Sequence, residues 1–145
     1  MFAYDINVKG TLNIIELSRN YNIQNFIFAS TSAIYEQNKE NIFREKNVTF
    51  PDLIYSQSKK NAEQLLESYS KNYSMPITVL RFFNTYGPRM DNKRISPPLI
   101  SYIIKEILNN KNPILHSDGK QERDYIYIDD VIDVFKILLN TKFSK

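Results

Sequence analysis

Several residue types are scarce or missing in this chain of 145 residues, which has no cysteine, one histidine and three glycines. Without cysteine, neither a disulfide framework nor a thiolate metal site can form. A single histidine among scattered carboxylates also argues against a metal centre. The glycines, Gly10, Gly87 and Gly119, are too widely spaced to build a glycine-rich dinucleotide turn.

Long apolar runs and concentrations of one charge are also missing. No apolar run approaches the roughly 20 residues that a membrane-spanning helix needs, and no signal peptide precedes the first charged residues. The net charge of +3 comes from well-mixed basic and acidic residues, so the basic stripe of a nucleic-acid-binding protein is absent. Apolar residues make up 42% of the chain, enough for one folded domain. We therefore expect a soluble, cytoplasmic protein without a membrane or nucleic-acid partner.

The hydrophobic pattern predicts helices that alternate with strands. Helices are predicted over residues 5–20 and 55–73, from Ser96-Pro97 to Asn109-Asn110, and from Asp129 onward. Strands are predicted over residues 25–29 and 77–83, a loop over 36–51, a turn over 84–89, and short extended pieces over 113–116 and 124–128. The two longer strands are almost continuously apolar, as in strands that are buried on both faces. This order predicts an α/β fold around a parallel sheet.

The strongest chemical signal is the pair Tyr55 and Lys59, together with the hydroxyl of Thr31. Residues four apart in a helix share a face, so the phenol and the ammonium can reach one space. A nearby cation favours the phenolate form and suits the tyrosine to general acid-base work. Thr31 follows a predicted strand, at the edge where open parallel sheets bind ligands. These three side chains would suffice for an alcohol-ketone interconversion beside a hydride-accepting cofactor.

The spacing of Tyr55 and Lys59 also has a purely structural interpretation. On spacing alone, a packed tyrosine and a lysine that reaches out to solvent is the more common arrangement. The same helical face continues through Ala62 and Leu66, which predicts that both groups point toward the body of the protein. That continuation favours the catalytic interpretation.

Five motifs, in order, give the chain a family resemblance. They are Asn7-Val8-Lys9-Gly10-Thr11, residues 26–35 (FIFASTSAIY), Tyr55-x-x-x-Lys59, residues 81–89 (RFFNTYGPR) and residues 123–131 (RDYIYIDDV). With these motifs the chain resembles the central part of the extended short-chain dehydrogenase/reductase family, in its NAD-dependent sugar-nucleotide epimerase/dehydratase branch. The resemblance implies part of a Rossmann-like, doubly wound parallel sheet that lacks the N-terminal glycine-rich strand-turn-helix.

The resemblance also implies roles for individual residues. Thr31, Tyr55 and Lys59 match the catalytic residues, and Lys59 would also bind the nicotinamide ribose of NAD. Contacts to NAD are further implied for Asn7, Phe82 and Phe83. Contacts to the substrate diphosphate are implied for Asn84 and Arg123, since a guanidinium can bind phosphate oxygens in pairs.

Three of these residues have structural alternatives. Arg123 could form a surface ion pair with Glu122 or Asp124. Asn84 could be a turn residue before Gly87-Pro88, and Asn7 could cap the start of a helix.

The resemblance further implies two regions and a choice of reaction. Residues 1–90 match the C-terminal part of the NAD-binding domain, and residues 91–145 match the start of the sugar-nucleotide-binding region. Ala33 stands where dehydratases of the branch have an acidic group, which favours epimerisation of a UDP-sugar. The alternatives are a dehydratase or decarboxylase of the same branch, and a catalytically incomplete remnant or partner-binding module. Glu36 replaces the glycine that usually follows Tyr35, a change that we expect to affect a loop. A homodimer is also expected.

Overall fold

The computed structural model of the chain describes residues 2–40, 42–116 and 118–141. These residues divide into two compact units. The first contains residues 2–82 together with 139–141, and the second contains residues 83–138. In the described ranges, no helix is both long enough and apolar enough to cross a membrane.

The first unit opens on a helical segment with an unusual turn. The short helix α1 (Phe2–Tyr4) leads into a π-helical turn, Asp5–Gly10, and then into α2 (Thr11–Asn20). The hydroxyl of Thr11 donates a 2.6 Å hydrogen bond to the carbonyl of Asn7 inside this turn. Asn7 therefore lies within the helical segment, so the alternative that it caps a helix start is wrong.

A two-stranded parallel sheet and a crossover helix form the rest of the first unit. Strand β1 (Phe26–Thr31) pairs with β2 (Ile77–Phe82), from Phe26 opposite Ile77 to Thr31 opposite Phe82. A 3-10 turn (Ser32–Tyr35), an irregular loop and α3 (Ile54–Tyr73) connect the two strands. The parallel direction follows from this connection, because a helical crossover returns the chain to the same end of the sheet.

The core of the first unit lies between the two long helices and one face of the sheet. Its buried members are Ile15 of α2, Phe28 of β1, Ala62 and Leu66 of α3, and Met75. At the edge of this core, the Tyr69 hydroxyl donates a 2.9 Å hydrogen bond to Glu16, which joins α3 to α2. This packing fixes the position of α3 against β1.

The second unit contains a smaller parallel pair and two helices. Strand β3 (Asn84–Tyr86) pairs with β4 (Tyr125–Tyr127), and the helices are α4 (Leu99–Leu108) and α5 (Ile128–Asn140). Gly87, which follows β3, has a φ of +149°, and a Cβ there would lie 2.4 Å from Cγ2 of Ile128. Glycine is needed at this position because its φ is unfavourable for other residues and a Cβ would collide with the Ile128 side chain.

The observed fold confirms the predicted α/β class with parallel sheets, while several local predictions are wrong. Residues 84–86 form a strand rather than part of a turn, because β4 supplies their hydrogen-bond partner. Residues 113–116 form no regular element, and the third predicted helix begins at Leu99, with Pro98 as its N-cap. β1 extends to Thr31, two residues beyond its predicted end.

The strands are also less buried than predicted. Phe28 and Ser30 of β1 are buried, but Ala29 between them is exposed, and all six residues of β2 are only partly buried. Each sheet has two strands among the described residues, and residues of α2 and α3 pack against Phe28 of β1. The apolar content of a strand therefore does not predict whether one of its faces or both are covered.

Candidate functional site

Helix α3 places Tyr55 and Lys59 on one face near its start. Tyr55 is the second residue of the helix, and Lys59 follows one turn later. The Tyr55 side chain is 48% exposed, so the prediction that it points toward the body of the protein is wrong. An exposed phenol can be reached by a substrate from solvent, which a packed tyrosine could not be.

Lys59, in contrast, is directed against strand β1. Its Nζ donates a 2.9 Å hydrogen bond to the carbonyl of Ala29 and lies 4.9 Å from the centre of the Phe28 ring. Burial lowers the pKa of the Lys59 ammonium, because the charged form loses solvation. The ammonium is thus anchored two residues before Thr31 rather than extended into water.

Thr31 ends β1 at the same edge of the sheet. Its hydroxyl oxygen accepts a 3.2 Å hydrogen bond from the amide of Ala33 and caps the 3-10 turn. Phe82 lies opposite Thr31 in the parallel register. The structure therefore brings Thr31, Lys59 and Phe82 to one end of the first sheet, as the sequence predicts for a ligand-binding edge.

Asn7 reaches helix α3 from the π-helical turn. Its Nδ2 donates a 2.9 Å hydrogen bond to the hydroxyl of Ser58, which donates a 2.7 Å bond to the carbonyl of Tyr55. Ser58 is fully buried. The π-helical turn places Asn7 for this contact, and such turns are common at functional sites.

A buried ionic network beside this edge was not predicted from the sequence. Arg81 of β2 donates hydrogen bonds of 3.1 and 2.8 Å to the two carboxylate oxygens of Glu63, and Ser30 donates a 2.5 Å bond to the same carboxylate. Arg81 also donates to the hydroxyl of Tyr35 and to the carbonyl of Glu45. The one sequence feature that could have drawn attention to this network is the position of Glu63, four residues after Lys59 on the same helical face.

The remaining predicted residues belong to the second unit. The Asn84 amide and its Nδ2 both donate to the carbonyl of Asp124, at 3.2 and 2.9 Å. The Arg123 guanidinium donates a 2.7 Å bond to the carbonyl of Glu122. Ion pairs among the described residues do not include Arg123, so the alternative of a salt bridge with Glu122 or Asp124 is wrong. Asn84 and Arg123 thus lie at the start of the β3–β4 pair.

The side chains of the first unit fit one half of a dinucleotide. An ammonium has three protons, and the bond to Ala29 uses one of those on Lys59. The other two remain available for hydroxyl groups of a bound ligand, such as those of a ribose. The described residues contain no glycine-rich turn before a helix, so the fit concerns the nicotinamide ribose and not the pyrophosphate.

Comparison with known proteins identifies the family. The model of the NAD dependent epimerase/dehydratase family matches residues 2–145. The chain is 36% identical over 144 residues to dTDP-D-glucose 4,6-dehydratase from Dictyostelium discoideum, covering 92% of this chain and 32% of that protein. It is 37% identical over 139 residues to a putative UDP-glucose 4-epimerase from Methanocaldococcus jannaschii, covering 95% of this chain and 45% of that protein.

Solved structures agree with this assignment. The UDP-N-acetylglucosamine 4-epimerase from Methanobrevibacter ruminantium superposes with a TM-score of 0.92 at 29% identity, over 97% of this chain and 45% of that one. The UDP-glucuronic acid 4-epimerase from Bacillus cereus, solved with UDP-glucuronic acid and NAD, superposes with a TM-score of 0.83 at 33% identity, over 94% and 42%. The chain spans between about a third and just under half the length of these relatives. From its sequence, its Rossmann-like fold and its match to the family model, the chain belongs to the NAD dependent epimerase/dehydratase family.

Proposed function

We propose that the chain is the catalytic region of an NAD-dependent sugar-nucleotide epimerase. The observation that carries this proposal is the anchoring of Lys59 to the carbonyl of Ala29. This bond holds the helix that bears Tyr55 against the strand that ends in Thr31. A general base, a cation and a hydroxyl then surround one edge of the sheet, as alcohol oxidation requires.

Each of the three side chains has a role in the proposed reaction. Tyr55 takes the proton of a sugar hydroxyl and later returns it, while the Thr31 hydroxyl holds the substrate oxygen. Lys59 binds the ribose hydroxyls and stabilises the tyrosinate by its charge. NAD, when bound, would supply the hydride acceptor for this oxidation and the hydride donor for the return reduction. Asn7, Phe82 and Phe83 would contact the cofactor.

The substrate that we propose is a UDP-sugar. Asn84 and Arg123 would bind its diphosphate, since a guanidinium matches phosphate oxygens. Several relatives support this class by name, among them the UDP-glucuronic acid 4-epimerase from Bacillus cereus. We accordingly propose that residues 1–90 belong to the NAD-binding domain and residues 91–145 to the sugar-nucleotide-binding region.

A dehydratase of the same family is the second candidate. The dehydratase from Dictyostelium discoideum favours it, because its identity to this chain, 36%, is about that of the epimerase relative. Elimination of water needs an acidic side chain beside the sugar. Ala33, two residues after Thr31, has no acidic group. A decarboxylase would share only the first oxidation. A homodimer that forms through helices such as α3 is part of the proposal.

The proposal can be tested by thermal unfolding of the chain with NAD and UDP-glucose. A ligand that binds only the folded state stabilises it by RT ln(1 + [L]/Kd), about 2.7 kcal/mol at a hundredfold excess over Kd. We expect the two ligands to raise Tm, and Lys59→Met to remove most of the NAD-dependent rise. Lys60→Met is the matched control, because it deletes an ammonium one residue away.

The result that would contradict the proposal is a Tm that neither ligand moves. Equal losses in the Lys59→Met and Lys60→Met variants would contradict the assignment of Lys59. Under the first result a partner-binding module, without a complete cofactor site, would be the better description of the chain.

A further inference from the structure

Helix α3 begins without a cap of its own. Leu53 is its N-cap residue and makes no side-chain hydrogen bond there. Instead, the carboxylate of Glu36, on the other side of the loop, accepts hydrogen bonds from the amides of Asp52 and Leu53, at 3.0 and 3.1 Å. It also accepts a 2.7 Å bond from the hydroxyl of Ser56.

These contacts reproduce a capping box with one residue supplied from elsewhere in the chain. In a capping box, a glutamate at the third helical position bonds back to the N-cap amide. Here that third position holds Ser56, which is fully buried, and Glu36 supplies the carboxylate that Ser56 lacks. A negative charge at this end also complements the helix dipole.

Glu36 is held in place by the chain on both sides. It follows the 3-10 turn that begins directly after Thr31. The next residue, Gln37, pairs with the other end of the loop through a 3.1 Å bond to the carbonyl of Phe50 and a 3.0 Å bond to the Asp52 carboxylate. Residues 36–37 and 50–53 therefore form the neck of the loop.

We propose that Glu36 is a positioning residue that sets the location of Tyr55 relative to Thr31. The role given to Tyr55 rests on the proposed function. Because Tyr55 is the second residue of α3 and its side chain is 48% exposed, little packing holds it. Its position depends on how the first turn is fixed, and Glu36 fixes that turn to the strand end that carries Thr31.

The charge of Glu36 gives the proposal a pH-dependent signature. Burial raises the pKa of this carboxyl, but the hydrogen bonds from Ser56, Asp52 and Leu53 outweigh that effect and lower it. Protonation removes the charge-assisted bonds. The nearest other ionisable groups along the neighbouring elements are Tyr35 in the 3-10 turn, Asp52 at the loop neck, and Tyr55, Lys59 and Lys60 in the first two turns of α3, followed by the carboxylate of Glu63. Asp52 and Glu63 are therefore the carboxyls whose protonation has to be told apart from that of Glu36.

The test is an NMR titration of the wild-type chain from pH about 7 to about 3, the range in which carboxyls titrate. We expect the amide signals of Asp52 and Leu53 and the ring signals of Tyr55 to shift with pH. Their midpoint pH should equal that of the signal of the Glu36 carboxyl carbon. The Asp52→Asn variant, which removes the other carboxyl of the neck, should keep this behaviour. A Tyr55 ring that does not titrate with Glu36 would overturn the proposal, and this measurement needs no substitution of Glu36.

Two substitutions sharpen the test. At neutral pH the Glu36→Gln variant should show the Tyr55 signals at the chemical shifts that the wild type has in acid. It should also speed amide exchange at Leu53 about fivefold, which corresponds to the stabilisation typically lost with a helix cap. Glu45→Gln is the matched control, since it neutralises an exposed glutamate of the same loop. Tyr55 signals that are equal in both variants would overturn the proposal. None of these readouts requires ligand binding, so a failure here is distinct from a failure of the proposed function.

Discussion

Lys59 has contacts that a solvent-exposed lysine would not have. One proton of its ammonium goes to the Ala29 carbonyl, and the Phe28 ring lies beneath the charge. The hydrogen bond offsets part of the cost of burial, which is the reason that the ammonium can stay near the sheet. Tyr55 has less support, with half of its surface open to solvent. The difference suits a cation that stays in place and a phenol that exchanges protons.

At this scale we predict that Tyr55→Phe removes the general base and leaves the surrounding contacts intact. In an active protein that contains this chain, kcat for UDP-sugar epimerisation should fall by at least about 100-fold, the usual contribution of general acid-base catalysis. KM should change little, because the phenyl ring retains the shape of the side chain. Steady-state kinetics of the wild-type and Tyr55→Phe proteins measure kcat and KM. Tyr73→Phe, at the other end of α3, is the control that should keep full turnover.

Retention of turnover by the Tyr55→Phe variant would mean that another group moves the proton. Thr31 is the nearest candidate by sequence motif, since its hydroxyl ends the same strand that Lys59 contacts.

At the scale of elements, α3 is joined to the sheet by a buried ion pair. The Glu63 carboxylate is 7% exposed and the Arg81 side chain 21% exposed, with 2.8 Å between Oε2 and Nη2. Ser30 adds a third partner to the same carboxylate. Removal of one member leaves the other buried without its counter-charge.

We therefore predict that Glu63→Leu lowers the free energy of unfolding by about 3–5 kcal/mol, the cost of breaking a buried pair. The double variant Glu63→Leu with Arg81→Leu should recover much of this loss, because no unpaired charge remains. Urea titrations of the three proteins measure the difference. Glu67→Gln is the control, since its pair with Lys71 is exposed and should contribute little to stability. Equal effects of the Glu63 and Glu67 substitutions would contradict the prediction.

Sequence patterns predicted the elements that have strong local periodicity. Helix α3 was expected over residues 55–73 and spans Ile54–Tyr73. The sequence pattern predicts a turn where strand β3 forms. The three residues of β3 are held by pairing with β4, about 40 residues later, and no local sequence pattern indicates such a partner. Motif spacing could point to Thr31, Tyr55 and Lys59, whose roles stay predictions. The bonds of Glu36 and Arg81 could not be found in this way, since each joins residues that the fold alone brings together.

At the scale of the whole molecule, much apolar surface is open. On α2, Ile14 and Leu17 are more than half exposed, and the same is true of Ile104, Ile107 and Leu108 on α4. Exposed apolar groups at helical spacing usually mark a surface that another element or another chain covers.

We predict that the isolated chain associates at high concentration and that Leu17→Lys weakens this association. A charge on the α2 surface would have to be desolvated in any complex that buries it. Sedimentation velocity over a concentration series measures the change. Ile95→Lys is the matched control, because Ile95 is fully exposed outside the helices and should have no effect. A chain that stays monomeric at every concentration would contradict the prediction.

The parallel pairing of β1 with β2 also has a kinetic consequence. The partners are about 50 residues apart along the chain, so pairing must close a long loop, and such non-local contacts make folding slow. Closing the loop neck at Glu36 first would shorten the segment that remains to be ordered. During synthesis β1 must wait for β2 to leave the ribosome, and until then its apolar face stays open to chaperones or to aggregation.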